Sequence, residues 1–308
     1  MSPRDSALAA LVAVIWGVNF VVIDWGMNGV PPLLFAAIRF TAVVLPAVFL
    51  VPRPRVGWRP VVLVGVFMSM GQFGFLYASL HAGMPPGLAA LVLQAQVIFT
   101  VVIAAGALRE VPTAAQVAGI LVGSAGLAVV ALGRGGATSG LALVLCLAGA
   151  LSWGIGNVLS RASGVAGGLS LTVWSSVVVP VPLFALSLAL DGPATVGAAL
   201  AGFSWQAVVS TLYTAGLASL VGYGIFNALL SRNRSSAVVP WVLVAPAVAM
   251  VAAWWLLGDR PNAAELAGGA LLLAGALVAL RPPRRTPAAP VGERVAEPVR
   301  TAVTAVTN

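Results

Sequence analysis

The 308-residue chain contains no lysine, one cysteine and one histidine, and only 8% of its residues are charged. Each scarcity removes a class of protein. A soluble domain carries about 25% charged residues, so a chain this poor in charge cannot clothe itself in a water-compatible surface. Cys146, alone in an apolar run, permits no disulfide and no cysteine metal site within one chain. Eight acidic residues and His81, which falls at an outer helix end as interfacial decoration, are too few and too scattered for acid–base or metal chemistry. Such centres need several carboxylates or histidines converging at one depth, and neither an HExxH nor a paired-aspartate motif occurs. An integral membrane enzyme is therefore disfavoured, and no cofactor or metal is expected. The net charge of +8 would suit nucleic acid, yet the arginines lie between apolar segments, as topology-setting loop charges do. No nucleic-acid partner is expected.

What is present is hydrophobicity: 60% of the residues, with a mean hydropathy of +1.03. A spanning helix needs about 20 mostly apolar residues. Cutting at charges, prolines and glycines predicts ten spans, at 7–27, 32–51, 60–81, 87–108, 113–132, 140–161, 168–190, 207–230, 237–257 and 262–280. The first begins behind Arg4 like a signal peptide, but it is long enough to span and lacks a small-residue cleavage site, so it is read as a retained helix. The short connections leave no room for a soluble domain. Residues 282–308, rich in Pro, Arg, Glu, Thr and Ala, read as a disordered cytoplasmic tail. The expected fold is an all-α integral membrane protein in the bacterial cytoplasmic membrane.

Arginine placement tests the count. With the N-terminus cytoplasmic, Arg39 lies in a span, Arg134 and Arg260 lie in outside loops, and the other thirteen of the sixteen lie inside. That is a strong positive-inside bias, and it places both termini in the cytoplasm.

One segment occurs twice. Glu110-Val111-Pro112-Thr113-Ala114-Ala115-Gln116-Val117-Ala118-Gly119 returns 149 residues later as Asp259-Arg260-Pro261-Asn262-Ala263-Ala264-Glu265-Leu266-Ala267-Gly268, and the register holds to Gly126 and Gly275. The copies cover the ends of two five-span halves, 1–135 and 136–281. Five is odd, so the second half is inverted, as in many transporters. Pro112 and Pro261 sit in first helical turns, where a missing N–H costs nothing. A weaker echo, which needs a one-residue shift, links Trp16-Gly17 and Asn19 to Trp153-Gly154 and Asn157. Gly119 and Gly123 make a GxxxG face that suits either a bundle or a dimer. Oligomeric state stays open, with a monomer sufficient.

Polar side chains in hydrocarbon need partners or a wet cavity. Trp16, Asn19 and Phe20 share one face of the first helix, and Trp153 and Asn157 one face of the sixth. Gln72 lies one turn from Ser69. Gln94 and Gln96 point about 200° apart on an α-helix; Gln96 lies over Thr100 and makes the cavity pair. Tyr223 and Asn227 form a further polar face. These residues, with Arg39, are the candidate substrate-binding set. Arg39 lies about 12 Å into its helix at 1.5 Å per residue, and Asp24 is near enough in sequence to pair with it. The alternative is that Arg39 attracts a substrate carboxylate while Asp24 serves as the proton-coupling candidate. Pro240 and Pro246 are candidate hinges in the ninth span.

Trp16-Gly17-Val18-Asn19-Phe20, Ile38-Arg39-Phe40, Gly83-Met84-Pro85-Pro86-Gly87-Leu88-Ala89, Val92-Leu93-Gln94-Ala95-Gln96 and Val221-Gly222-Tyr223-Gly224 resemble the EamA family of the drug/metabolite transporter superfamily. So does the acidic-x-Pro start of each repeat's last helix. The similarity covers about residues 4–280 and in detail is nearest the bacterial O-acetylserine and cysteine exporters. It implies ten helices in two inverted repeats and efflux of small metabolites, typically amino acids or their derivatives. Asp24 departs from the pattern, being acidic where the family is commonly basic. The expected function is a secondary exporter of an amino-acid-like small molecule by alternating access within the lipid bilayer. Multidrug efflux is the rival within the same fold, with a passive channel as a further alternative.

Overall fold

A chain in hydrocarbon has to satisfy every backbone N–H and C=O within itself, and the ten apolar segments do so as helices. The computed structural model describes residues 1–133, 138–164 and 169–281; Arg134 and the tail expected at 282–308 lie outside them. The helices are α1 (Pro3–Gly26), α2 (Pro32–Leu50), α3 (Trp58–His81), α4 (Pro86–Ala107), α5 (Ala114–Gly133), α6 (Gly140–Ala162), α7 (Ser170–Asp191), α8 (Trp205–Arg232), α9 (Val239–Leu257) and α10 (Ala263–Ala279). The first nine are long and apolar enough to cross a bilayer. At 17 residues α10 is shorter, at the lower limit of a span. No strand occurs among the described residues. The sequence missed one element, a short helix at Pro193–Ala201 between α7 and α8.

Contacts between helix ends sort the bundle into two faces. On one, Asp5 lies 3.5 Å from Arg232, Glu110 pairs with Arg161 at 2.9 Å, and Trp174 donates to the Val51 carbonyl at 3.0 Å. On the other, Ser139 donates to Ala82, Asn262 donates to Gly133, and the Trp25 and Trp205 rings meet edge to face at 5.2 Å. Successive helices therefore alternate in direction. Phe49, Leu132 and Trp255 are more than four-fifths exposed on the bundle's outside, a surface that fits lipid and not water.

The GxxxG face of α5 packs inside the chain. A Cβ at Gly119 would lie 2.5 Å from the Gly275 carbonyl oxygen, and one at Gly126 would lie 2.5 Å from that of Gly268. Pairs 119–275 and 126–268 run in opposite senses, so α5 and α10 are antiparallel. Exchanging each residue with its partner 149 positions away turns one pair into the other, which places the pseudo-two-fold axis between these helices. The helical irregularities repeat as well. A π segment at Gly65–Gly71 in α3 answers one at Tyr213–Val221 in α8. A 3-10 segment at Leu93–Ala95 in α4 answers one at Val239–Val244 in α9.

Because Gly119, Gly126, Gly268 and Gly275 each meet backbone first across the α5–α10 contact, Gly126→Val has no cheap relief. Overpacking of this kind costs about 1–3 kcal/mol. The variant should unfold at a lower temperature in detergent than wild type, as should Gly268→Val. Unchanged melting of both would contradict the packing described.

Candidate functional site

A cavity of about 400 Å³ lies between the two halves, within the range of small-molecule sites. Trp16, Asn19 and Phe20 of α1, Arg39 and Phe40 of α2, and Gln72 and Phe73 of α3 form one side. Gln94 and Gln96 of α4, Trp153 and Asn157 of α6, and Tyr223 and Phe226 of α8, the last two packed on Trp16, line the cavity as well. Thr172, Val239 and Leu280 extend the wall toward the face that carries Asp5 and Arg232. The cavity thus runs from mid-depth toward the N-terminal face.

The π segments shape this wall. Widening a turn from i→i−4 to i→i−5 frees carbonyls, and such bulges recur at functional sites. Side chains from other helices reach carbonyls of these segments: Ser152 donates to the Phe67 carbonyl at 2.8 Å and the Trp16 indole to that of Ala218 at 2.9 Å. The Trp16 donor is therefore spent on the scaffold and is not offered to a ligand. Its ring packs on Tyr223 at 5.0 Å and Phe226 at 5.3 Å, so it serves as a fixed aromatic wall.

Arg39 is 3% exposed. Its Nη1 donates to the Tyr77 hydroxyl at 3.3 Å and its Nη2 to that of Ser219 at 3.2 Å. The guanidinium lies over Phe73 at 4.1 Å and Phe40 at 5.1 Å, and Nε has no partner. The Asp24–Arg39 ion pair is not formed: among the described residues neither is in a salt bridge. Asp24 lies half-buried in the last turns of α1, and the charge that acts on it is that of Asp259. Repeat symmetry explains the mismatch. Gly17 answers Gly154 at an offset of 137, which carries Asp24 onto Arg161, while Asp259 answers Glu110 at 149. An ion pair on one face is thus replaced by two acids on the other. Burial holds the Asp259 carboxyl above the ordinary carboxylate range.

Cation–π contacts and two neutral hydrogen bonds only partly offset the cost of a buried guanidinium, which is several kcal/mol when uncompensated. No carboxylate among the described residues answers it. Asn157 is the opposite case: its Nδ2 donates to Gln96 Oε1 at 2.8 Å and to Thr100 Oγ1 at 3.2 Å, which ties α6 to α4. Thr100 also donates to Gln96 at 3.5 Å but does not border the cavity. Asn227 does not border it either, its amide turning back to the Tyr223 carbonyl at 2.8 Å. Gln94 and Gln96, which an α-helix would hold on opposite faces, both border the cavity. The 3-10 turn at Leu93–Ala95 advances about 120° per residue, which brings the two within about 120° of each other. Pro240 and Pro246 are not in a continuous helix: each opens a segment, Pro240 the 3-10 stretch and Pro246 the α-helix Ala245–Leu257.

Tyr77 and Ser219, the Arg39 partners, went unnoticed in the sequence. A faint signal for Ser219 existed, since Ser69 carried forward by 149 lands one residue short of it.

The profile of the EamA-like transporter family matches residues 6–132 and 140–281. Curated relatives include a "Probable amino-acid metabolite efflux pump" of Escherichia coli strain K12. It is 37% identical over 281 residues, which are 89% of this chain and 94% of that protein. A protein of the same description from Salmonella typhimurium strain LT2 is 39% identical over 283 residues, with the same coverage. A "Probable terminal-alkyne amino-acid exporter" of Streptantibioticus cattleyicolor is 29% identical over 87% of this chain and 90% of its own. One solved crystal structure, 21% identical, superposes with a TM-score of 0.60 over 91% of this chain and 96% of its own, which speaks for the fold alone.

Proposed function

The chain belongs to the EamA-like transporter family, and from that premise we propose that it is a secondary exporter of small amino-acid-like metabolites of the cysteine and O-acetylserine kind. It works by alternating access in a bacterial inner membrane, with both termini in the cytoplasm. The observation that carries the reading is Arg39: a buried guanidinium on the cavity wall with no carboxylate partner among the described residues. A cargo carboxylate supplies the missing anion when the cavity is loaded. The N-terminal half of the cavity wall corresponds to the cytoplasmic loading side. Pro240 and Pro246, at joints between helix types in α9, are where the halves rock, and Asp24 is the group through which a proton couples.

The rival reading, multidrug efflux, draws support from the aromatic wall of Trp16, Phe20, Phe73 and Phe226. The buried positive charge works against it, because lipophilic cations would be repelled at short range in low dielectric. The test is counterflow of labelled cysteine in proteoliposomes, with cold cysteine, threonine and a lipophilic cation as competitors, with and without a pH gradient. The amino-acid reading expects saturable counterflow that cysteine displaces and the cation does not. Competition by the cation alone would favour the rival, and unsaturable flux would favour a channel.

A further inference from the structure

The repeat that builds the bundle is broken at one place on the cavity wall. Gly154 of α6 packs on Phe99 and Thr100 of α4, and Gly17 of α1 packs on Ala245 and Val248 of α9. The offset of 149 relates Phe99 to Val248, so the two contacts are copies of one interface. Within it, Asn157 is held by Gln96 and Thr100. The same offset carries Gln96 onto Ala245 and Thr100 onto Ala249. In the register that pairs Gly17 with Gly154, Phe20 takes the place of Asn157, and Asn19 stands about 200° round α1 from Gly17, away from that contact. Asn19 is 7% exposed, borders the cavity, and its Oδ1 has no hydrogen-bond partner.

Among the described residues, two buried atoms without partners belong to residues on this wall, Asn19 Oδ1 and Arg39 Nε. One is an acceptor that lacks a donor, and the other belongs to a cation that lacks an anion. An α-amino acid carries both complements, an ammonium group with N–H donors and a carboxylate. Trp16 and Phe20 beside Asn19 add aromatic faces that favour an ammonium over a neutral group. We infer that Asn19, whose buried oxygen is unpaired at the cavity, is its ammonium subsite, while Asn157 remains a strut. This rests on the reading of the cavity as a carrier of amino-acid-like cargo with its carboxylate at Arg39. It assigns specificity to one of two asparagines that the sequence alone does not rank.

The test uses two probes that differ only in the amine, L-cysteine and 3-mercaptopropionate, in proteoliposomes of the full chain. Asn19→Ala should raise the half-saturating concentration of cysteine at least tenfold and leave that of 3-mercaptopropionate unchanged. Asn19→Asp, which keeps an acceptor there, should retain cysteine. Thermal unfolding in detergent checks that each variant is folded. Equal losses for both probes, or cysteine transport unchanged in Asn19→Ala, would overturn the subsite. If wild type carries neither probe, the exporter reading fails first, and the subsite with it.

Discussion

Replacing Arg39 with glutamine should lower transport of a carboxylate substrate by about two orders of magnitude and yet make the empty protein more resistant to heat. The first effect follows from the charge-assisted hydrogen bonds a carboxylate would make, worth about 1.5–3 kcal/mol, or about 10- to 150-fold at 1.4 kcal/mol per decade. The second follows from what the guanidinium lacks. It is buried, bonded to two neutral hydroxyls and stacked on Phe73, with no acid among the described residues to offset its desolvation. Glutamine can still bond to Tyr77 and Ser219 without that charge. A residue that merely fixed helix packing would show the reverse, a loss of stability with transport falling in step. The measurements are counterflow in proteoliposomes and melting in detergent with and without cysteine. Ligand should raise the melting temperature of wild type, as binding to the folded state requires, and leave that of Arg39→Gln unmoved. Arg39→Lys should fall between the two, because a point charge keeps the attraction and loses the planar fork and the stacking. Wild-type transport by Arg39→Gln would remove the observation on which the function rests.

Trp16→Ala is expected to be the most damaging single truncation on the wall. The indole holds the Ala218 carbonyl of the α8 π segment and fills the space between Tyr223 and Phe226. Gly222 is small where α8 meets it: a Cβ there would lie 2.7 Å from the indole nitrogen. Truncating a large aromatic costs about 3–5 kcal/mol in a closed core; at a cavity wall the lower end applies. Transport should drop by more than tenfold per folded molecule, and the widened cavity should admit bulkier substrates. Trp16→Phe, which keeps the wall and loses one hydrogen bond, should cost about 1 kcal/mol and keep most transport. Flux is to be normalised to monodisperse protein. Full activity in Trp16→Ala would show that the indole neither shapes the path nor holds the bulge.

Much of the fold is legible before any coordinates. Glu110 and Asp259 announce the duplication, and Gly119, Gly126, Gly268 and Gly275 already mark the contact that places the axis. The candidate wall is legible in part: Trp16, Asn19, Arg39, Gln72, Gln96, Trp153, Asn157 and Tyr223 do border one cavity. Their roles are not legible. Spacing along α1 and α6 makes Asn19 and Asn157 look equivalent, while the structure binds one to Gln96 and leaves the other's oxygen unpaired. Nearness in sequence suggests that Asp24 pairs with Arg39, but the guanidinium turns instead to Tyr77 on α3 and Ser219 on α8.

The sequence by itself determined the number of spans, their alternation and the inverted repeat, because the transfer of a side chain from water to hydrocarbon is a local property that sums along the chain. Only the tertiary structure decided which polar atoms meet. That depends on how each helix is rotated about its axis and where a π or 3-10 turn shifts its register. Both are set by close packing between helices far apart in sequence, such as Gly17 against Val248 and Gly154 against Phe99.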